Sequence, residues 1–540
     1  MRLKCESPEE VVNQIGKLER RADLCLEDLK IYRLPRGLAK WATLVFLVGQ
    51  TERHRATQGF ANYDVALINL SRRGALILKW LKEKGNPAES ALDSYRWNST
   101  IAETVNEAFG VASNYLVLLG TFPLWHQDRM LAELTSSASI RFMLPGGESA
   151  RRVSAFHKGF RPYVVKPIDN GLTLKSEQQR EMDQVRFRCL YAGQWAMAYS
   201  PPINLYRMMM TPHLARLQSL FRRDDSVDLG PYAVGELKQA YSALAAVCAV
   251  HEYLCYRFGI SDRYPLNSCV LIKTVAAWTE LLSEVSGLDP GKVASILNDL
   301  TISDRVWDFH VQPIVPVDKG NLAIAPQFAL HSRIDENILR VCGYVRKSYF
   351  DVACSLKEEE MLDDLLPVCP KRFVPKSGIR LPGGLPDIDL LLSDEEASVV
   401  LIGELKWLRK PFDWRERIDR EEDFKKGLEQ LLAIRAFLEA EPKYLTDMGK
   451  LPRSLDQYAQ VVYALIARDH FCWPDKSESL VVDYDVFKQS IGRSAELSEL
   501  VGILNAYEWL PKEGRDFVVK LEPAVVNGVT VESEIFRRIL

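Results

Sequence analysis

The chain has 540 residues, with 47% hydrophobic, 26% charged and 10% aromatic residues, a net charge of −3 and an isoelectric point near 6.3. This composition excludes fibrous, coiled-coil and wholly disordered proteins, and it supplies apolar residues for more than one core. The slightly acidic balance excludes a uniformly basic coat for nucleic acid, and the length predicts about three domains at roughly 150 residues each.

Residues 1–300 predict a mostly helical region that serves as a scaffold or binds nucleic acid or a protein partner. Ser7-Pro8-Glu9-Glu10 combines an N-cap serine, a first-turn proline and a capping-box glutamate. The chain starts without the apolar run of a signal peptide, and residues 243–256, the most apolar predicted helical stretch, are too short to span a bilayer. We therefore expect no contact with a membrane.

One segment carries the basic excess of this region. Residues 151–223 contain 13 Lys and Arg against 4 Asp and Glu, a net charge of +9, with aromatic residues interleaved. Concentrated positive charge beside aromatic rings is a footprint for a phosphate backbone. The arginines that we predict to bind nucleic acid are Arg151, Arg152, Arg161, Arg186 and Arg188. The competing interpretation is a solvated face whose charges pair with acidic neighbours.

Residues 301–350 predict a β-hairpin and a connecting helix. The strand-like runs 311–317 and 322–325 flank Asp318-Lys319-Gly320-Asn321, whose glycine and asparagine tolerate the positive φ of a tight turn. Helical periodicity returns from residue 337, so the boundary to the next domain is expected between about 300 and 350.

Charged side chains interrupt two predicted strands in the C-terminal part of the chain, at 385–392 and 398–408. Because side chains alternate along a strand, Asp387 and Asp389 share one face of the first. Glu404 and Lys406 likewise share one face of the second. The second strand is otherwise apolar on both faces, as in a buried central strand, where unpaired charge is costly. A divalent cation held by the carboxylates would offset that cost, and oxygen ligands favour Mg²⁺ or Mn²⁺.

Pro386-Asp387 and Glu404-Leu405-Lys406 resemble the signature of the PD-(D/E)xK nuclease superfamily, which has the restriction-endonuclease-like fold. The resemblance implies a helix, a three-stranded meander, a helix and a further strand. The chain offers these parts in that order: a helix at 351–366, strands at 372–381, 385–392 and 398–408, a helix at 420–440 and a strand at 461–467. The expected fold class is α+β, with a large mostly α-helical N-terminal region followed by a C-terminal α/β restriction-endonuclease-like domain, residues 351–470, around a central mixed sheet.

The resemblance also implies a role for each matched residue. Asp389, which precedes a run of three leucines, and Glu404 are expected to hold the metal ion. Asp387 fits the literal Pro-Asp spelling and stays open as the alternative ligand. Lys406 is expected to position the attacking water or to stabilise the charge that develops on the phosphate.

Two further polar residues are implied on the helices that flank these strands. The first is a glutamate near the metal, for which Glu358 is the preferred candidate and Glu359 fits almost equally. The second is a polar residue that points back at the site from the helix at 420–440, for which Gln430 is preferred. Residues 471–540 predict strands that extend the nuclease domain, including a type I′ hairpin at Asn527-Gly528.

The expected function is a Mg²⁺-dependent nuclease that hydrolyses phosphodiester bonds, with DNA as the expected nucleic acid and RNA left open. The family resemblance suggests an endonuclease in restriction or antiviral defence. Protein partners and a homo-oligomer are both left open by the sequence. Ten scattered cysteines without a Cys-x-x-Cys pair favour the reducing cytoplasm. The alternative is a non-catalytic helical protein that binds nucleic acid or a partner and carries a nuclease-like domain.

Overall fold

A computed structural model describes residues 8–58, 63–92, 95–157, 176–191, 201–220, 225–258, 266–303, 309, 311–318, 320–331, 343, 345–408, 414–468 and 479–539. The elements and contacts given below belong to these residues.

Helices dominate the N-terminal half. They are α1 (Pro8–Asp23), α2 (Arg36–Gln58), α3 (Tyr63–Lys84), α4 (Ser99–His126), α5 (Gly147–His157), α6 (Ser176–Tyr191), α7 (Ile203–Leu220), α8 (Val234–Phe258), α9 (Val275–Ser286), α10 (Pro290–Asp299) and α11 (Pro326–His331). Local signals set several starts: the Asn98 side chain accepts a hydrogen bond from the Ile101 N–H at the start of α4, and Pro290 occupies the first turn of α10.

A small sheet separates two helical cores in this half. The strands of the N-terminal half are β1 (Leu131–Ser136), β2 (Ser139–Met143), β3 (Leu271–Thr274), β4 (Ile314–Pro316) and β5 (Asn321–Ile324), and the small sheet consists of β3, β4 and β5. The predicted hairpin is confirmed as β4 and β5, and β3 pairs with the other edge of β5. Leu322 and Ile324 of β5 pack into the core that contains α7 and α8, whereas Ala323 packs into the core of α2 and α3. The alternation of a strand therefore lets one sheet serve both cores.

Among the described helices, α4 alone is long and apolar enough to cross a membrane, with a mean hydropathy of 1.3 over its most apolar window. A third of that window is buried inside the protein. Ile101, Val105 and Phe109 pack into the core of α2 and α3, and Phe122 makes an edge-to-face contact with Phe142 of β2. Core helices of water-soluble proteins meet the same test, so α4 is only weak evidence for a span.

The C-terminal half is built around a five-stranded mixed sheet. Its elements are α12 (Lys347–Leu365), β6 (Val374–Ile379), β7 (Ile388–Asp394), β8 (Val399–Trp407), α13 (Trp414–Ala440), α14 (Tyr444–Asp447), β9 (Gln460–Arg468), β10 (Leu480–Asp483), α15 (Tyr484–Ile491) and α16 (Leu497–Asn505). The strand order is β10-β9-β8-β7-β6, with β6, β7 and β8 forming an antiparallel meander. β9 runs parallel to β8, and β10 parallel to β9. The predicted α+β class with mixed sheets is confirmed.

The last two strands, β11 (Phe517–Val526) and β12 (Val529–Arg538), form the predicted hairpin. Asn527 and Gly528 both have positive φ, 47° and 71°, as a type I′ turn requires. The prediction of strands throughout 471–540 is wrong for α15 and α16, which are helices, and strand pairing divides the strands of this segment. β10 extends the five-stranded sheet, whereas β12 pairs in parallel with β2, with Val531 opposite Ile140, in a sheet of order β1-β2-β12-β11. The hairpin therefore packs against the N-terminal region. The sequence did not predict this, because a local pattern does not specify a distant pairing partner.

Candidate active site

The acidic residues predicted on β7 and β8 meet where these two strands diverge. The β7–β8 ladder ends at Leu390 opposite Gly403, although β7 stays paired with β6 as far as Ile388. Beyond that point the Asp389 carboxylate Oδ2 accepts a hydrogen bond of 2.8 Å from the Leu405 N–H. The carboxylate thus satisfies an amide of β8 that a paired strand would otherwise cover.

A carboxylate from α12 continues the same edge of β8. Glu358 Oε1 accepts a hydrogen bond of 3.3 Å from the Trp407 N–H and lies 4.0 Å from Lys406 Nζ. The neighbouring Glu359 is exposed. Of the two glutamates that the sequence leaves open, Glu358 is therefore the one that the fold brings to this site.

Glu404 is the most deeply buried acid of the group, with a side chain that is 3% exposed. Its Oε1 lies 2.7 Å from Lys406 Nζ, whereas its Oε2 is buried and has no hydrogen-bond partner. An ionised carboxylate oxygen is costly to bury without a partner. This oxygen is therefore available to a bound cation.

Burial and crowding of like charges shift the pKa values of these groups. Burial, together with the negative charge of Asp389, raises the pKa of Glu404 to about 7, and Lys406 opposes that shift. Burial also raises the pKa values of Asp389 and Glu358. Burial by itself would lower the pKa of Lys406, but attraction to Glu404 and Glu358 outweighs it, so the net shift is upward. Lys406 therefore stays protonated, and it is one ammonium among three carboxylates.

The raised pKa of Glu404 predicts how stability depends on pH in the absence of metal. The folded protein keeps a proton on Glu404 up to about pH 7, whereas the unfolded chain releases it near the ordinary value of 4.5. The stability that this proton contributes is fully present below pH 4.5 and is lost as the pH rises to about 7. The side chain introduced by Glu404→Gln cannot ionise. Between about pH 5 and about pH 8 the Tm of this variant should therefore fall less than the Tm of the wild type.

Thermal denaturation in EDTA across this pH range measures the difference. The matched control is Glu359→Gln, because Glu359 is exposed on the same helix as Glu358. Glu359→Gln makes the same amide substitution outside the site, so it shows what the loss of one exposed carboxylate does to Tm. A Glu404→Gln protein that follows the wild-type profile would contradict the shift assigned to Glu404.

Asp387 lies beside the site, and Gln430 lies on the helix that packs against Lys406. Asp387 is exposed, one residue before β7, and its charge contributes to the raised pKa of Asp389. Asp389 is therefore the aspartate that contacts β8. Gln430 is half-buried on α13, three residues after Gly427, where α13 packs against Lys406. Helical spacing places Gln430 on the same side of α13 as Gly427.

Gly427 is the residue near the site that the sequence-based prediction missed. A Cβ atom added there would lie 3.0 Å from Lys406 Cγ. The sequence signal for Gly427 was its position inside a predicted helix. A glycine there destabilises the helix by about 1 kcal/mol relative to alanine, so a packing or functional reason is expected for it.

The first two predicted nucleic-acid contacts, Arg151 and Arg152, have protein acceptors. Arg151 Nη2 lies 2.5 Å from Glu534 of β12, and its Nη1 lies 3.4 Å from Glu513. Arg152 donates to the backbone carbonyl oxygens of residues 507, 510 and 511. Both arginines therefore tie α5 to the C-terminal segment, and Arg151 pairs with acidic neighbours as the competing interpretation describes.

The other three arginines have side chains that lie outside the described part of the structure. The backbone of Arg186 and Arg188 lies on α6, and Arg161 lies outside the described residues altogether. Val153 and Phe156 of α5 belong to the core of the C-terminal domain. The start of the basic segment is thus part of the framework that supports the five-stranded sheet.

Comparisons with protein-family models, with curated proteins and with solved structures find no match to this chain. Across the described residues, no three His, Cys, Asp or Glu side chains are grouped so that they could hold a metal ion as they stand. At the candidate site Lys406 lies against Glu404 Oε1, and an amide occupies Asp389 Oδ2. The oxygens that these contacts leave open are Glu404 Oε2 and the second oxygen of Asp389.

Proposed function

We propose that this protein is a metal-dependent nuclease that hydrolyses phosphodiester bonds at the site formed by Asp389, Glu404 and Lys406. The observation that carries this proposal is the buried Glu404 oxygen without a partner, on a carboxylate whose other oxygen contacts Lys406. The N–H of the next residue, Leu405, donates to Asp389. A carboxylate pair beside a protonated lysine suits a reaction in which negative charge develops on a phosphate.

The topology supports the restriction-endonuclease-like character of the domain. The chain runs α12, β6, β7, β8, α13 and β9, which is the order that the sequence resemblance implies. The first three strands form the meander, and both helices pack on β8. The candidate acids and the lysine therefore lie on the central strand and its neighbour, where rigid elements hold them.

The donor set fits Mg²⁺ or Mn²⁺, with Asp389 and Glu404 as the residues that would hold the ion through oxygen atoms. Such an ion, when bound, offsets phosphate charge and lowers the pKa of a coordinated water. Lys406 acts as a cation and not as a general base, because Glu404 and Glu358 raise its pKa. Glu358 holds the Trp407 amide and lies beside the ammonium, so it positions the end of β8.

A cleavage assay tests the proposed activity. Plasmid, linear and single-stranded DNA, and RNA, are incubated with Mg²⁺, with Mn²⁺ or with EDTA. We expect cleavage of DNA with either ion and none with EDTA. Cleavage that persists in EDTA would contradict the metal requirement, and binding without cleavage under every condition would favour the non-catalytic alternative. A role in cytoplasmic restriction or antiviral defence is proposed from the family resemblance.

We also propose that nucleic acid is bound by the basic segment, through the arginines on α6. Arg186→Ala combined with Arg188→Ala should weaken binding irrespective of base sequence, because phosphate contacts carry no sequence information. The slope of log affinity against log salt should fall by roughly 0.7–0.9 for each phosphate that the variant no longer neutralises. Binding titrations at several salt concentrations measure that slope, and an unchanged slope would exclude phosphate contacts by these two residues.

Arg151→Ala is the comparison variant for this titration. The Glu534 side chain, 4% exposed, would lose its close ion-pair partner. The Leu144 N–H would still donate to Glu534 Oε2, but the buried carboxylate would lose its cation, so we expect a lower Tm and a destabilisation of roughly 1–3 kcal/mol. The salt slope should stay at the wild-type value.

A further inference from the structure

We propose that Gly427 is a positioning residue for Lys406, so that the backbone of α13 helps to set where the ammonium group lies. This inference rests on the proposed function of the site. A Cβ atom at Gly427 would lie 3.0 Å from Lys406 Cγ, 3.4 Å from Lys406 Cε and 3.0 Å from Leu465 Cδ1. Gly427 lies within α13 and is not among the glycines with positive φ. Glycine is therefore needed here for space and not for its backbone conformation.

The absent side chain leaves room for the stem of Lys406 between α13 and the sheet. Lys406 leaves β8 at a position paired with Ala467 of β9, and its stem runs under Gly427. The side chain is 18% exposed and ends with Nζ 2.7 Å from Glu404 Oε1. Close packing of its methylene groups therefore restricts the conformations that bring the ammonium to this carboxylate.

A Cβ atom at Gly427 would force one of its two neighbours to move. Leu465 is fully buried on β9, opposite Glu404, in a core with little free volume. Lys406 is partly exposed and flexible, so its stem is the part that gives way. A shift of the stem is carried to Nζ and weakens the alignment of the ammonium with the reacting phosphate.

Gly502 supplies a matched control in the same domain. It lies on the exposed side of α16, and a Cβ atom added there meets no atom within 4 Å. Gly502→Ala and Gly427→Ala are thus the same chemical change in helices, one in open space and one against Lys406.

The kinetic test compares these variants in the full-length protein with Mg²⁺. For Gly427→Ala we expect kcat to fall on the order of tenfold or more, with KM for DNA and the calorimetric affinity for Mg²⁺ unchanged. Gly502→Ala should cleave at the wild-type rate. Adding Leu465→Val to Gly427→Ala removes the Cδ1 contact and should recover part of the lost kcat. An unchanged kcat in Gly427→Ala, or a loss confined to KM, would overturn the positioning role.

A stability test separates this inference from the proposed function, because it needs no cleavage. Alanine normally stabilises a helix relative to glycine. Gly502→Ala should therefore raise Tm, whereas Gly427→Ala should raise it less or lower it. In a Lys406→Ala background, the Tm change caused by Gly427→Ala should become more favourable. If the Tm shifts of Gly427→Ala and Lys406→Ala simply add in the double variant, Gly427 does not act through Lys406. If the two shifts are coupled but the protein cleaves no nucleic acid, the positioning contact stands and only the proposed nuclease function is refuted.

Discussion

Replacement of Glu404 by alanine is expected to reduce cleavage by at least about 10²-fold at a Mg²⁺ concentration that saturates the wild type. The substitution removes the buried Oε2 atom that has no hydrogen-bond partner, and it removes the carboxylate that lies 2.7 Å from Lys406 Nζ. The fold should persist, because the pKa of Glu404 is raised by burial and by Asp389, so its ionised form is unfavourable without metal. Calorimetry should show the loss of Mg²⁺ binding.

Asp389 provides a second test of the same metal site. Asp389→Asn keeps an oxygen that can accept the hydrogen bond from the Leu405 N–H while removing the negative charge, so Tm should change little and cleavage should be lost. Asp389→Ala also removes the acceptor and should lower Tm as well. Asp387→Ala is the matched control, because Asp387 is exposed beside the site. Normal activity in Glu404→Ala or in Asp389→Asn would refute the ligand assignment.

Lys406→Ala is expected to reduce kcat by about 10²–10³-fold, as for the loss of one group that stabilises developing charge. Mg²⁺ affinity should be retained or increased. The reason is that lysine is not a metal ligand, and its removal frees Glu404 Oε1 from the ion pair. Steady-state kinetics at saturating Mg²⁺ and calorimetry of Mg²⁺ binding measure the two quantities independently.

Lys426→Ala is the control for this experiment. Lys426 lies on α13 with a side chain that is 69% exposed, and its Nζ is 3.6 Å from Asp423. Removing it should change neither kcat nor Mg²⁺ affinity. If Lys406→Ala instead lost Mg²⁺ affinity and kept a normal kcat at saturating metal, Lys406 would have a structural role in holding Glu404.

The elements of the C-terminal domain were predictable because their signals are local. The apolar run 398–408 gave the second strand, observed as Val399–Trp407, and the run 461–467 gave a strand observed as Gln460–Arg468. The helix predicted at 420–440 starts earlier, at Trp414, and the local start signal that the prediction overlooked is Asp413 with Glu416 three residues later. Alternation along a strand also placed Glu404 and Lys406 together, and they form an ion pair.

Residue patterns alone therefore determined the order of helices and strands from α12 to β9, the α+β class, and the pairing of an acid with a lysine on a buried strand. Only the tertiary structure distinguished Asp389 from Asp387 and Glu358 from Glu359, because that choice depends on which carboxylate reaches an uncovered amide of β8. It likewise decided that the final hairpin joins β2 and that Gly427 lies against Lys406. Such contacts join residues that are distant in the chain. A sequence pattern within a short window carries no information about which distant residue will pack against it.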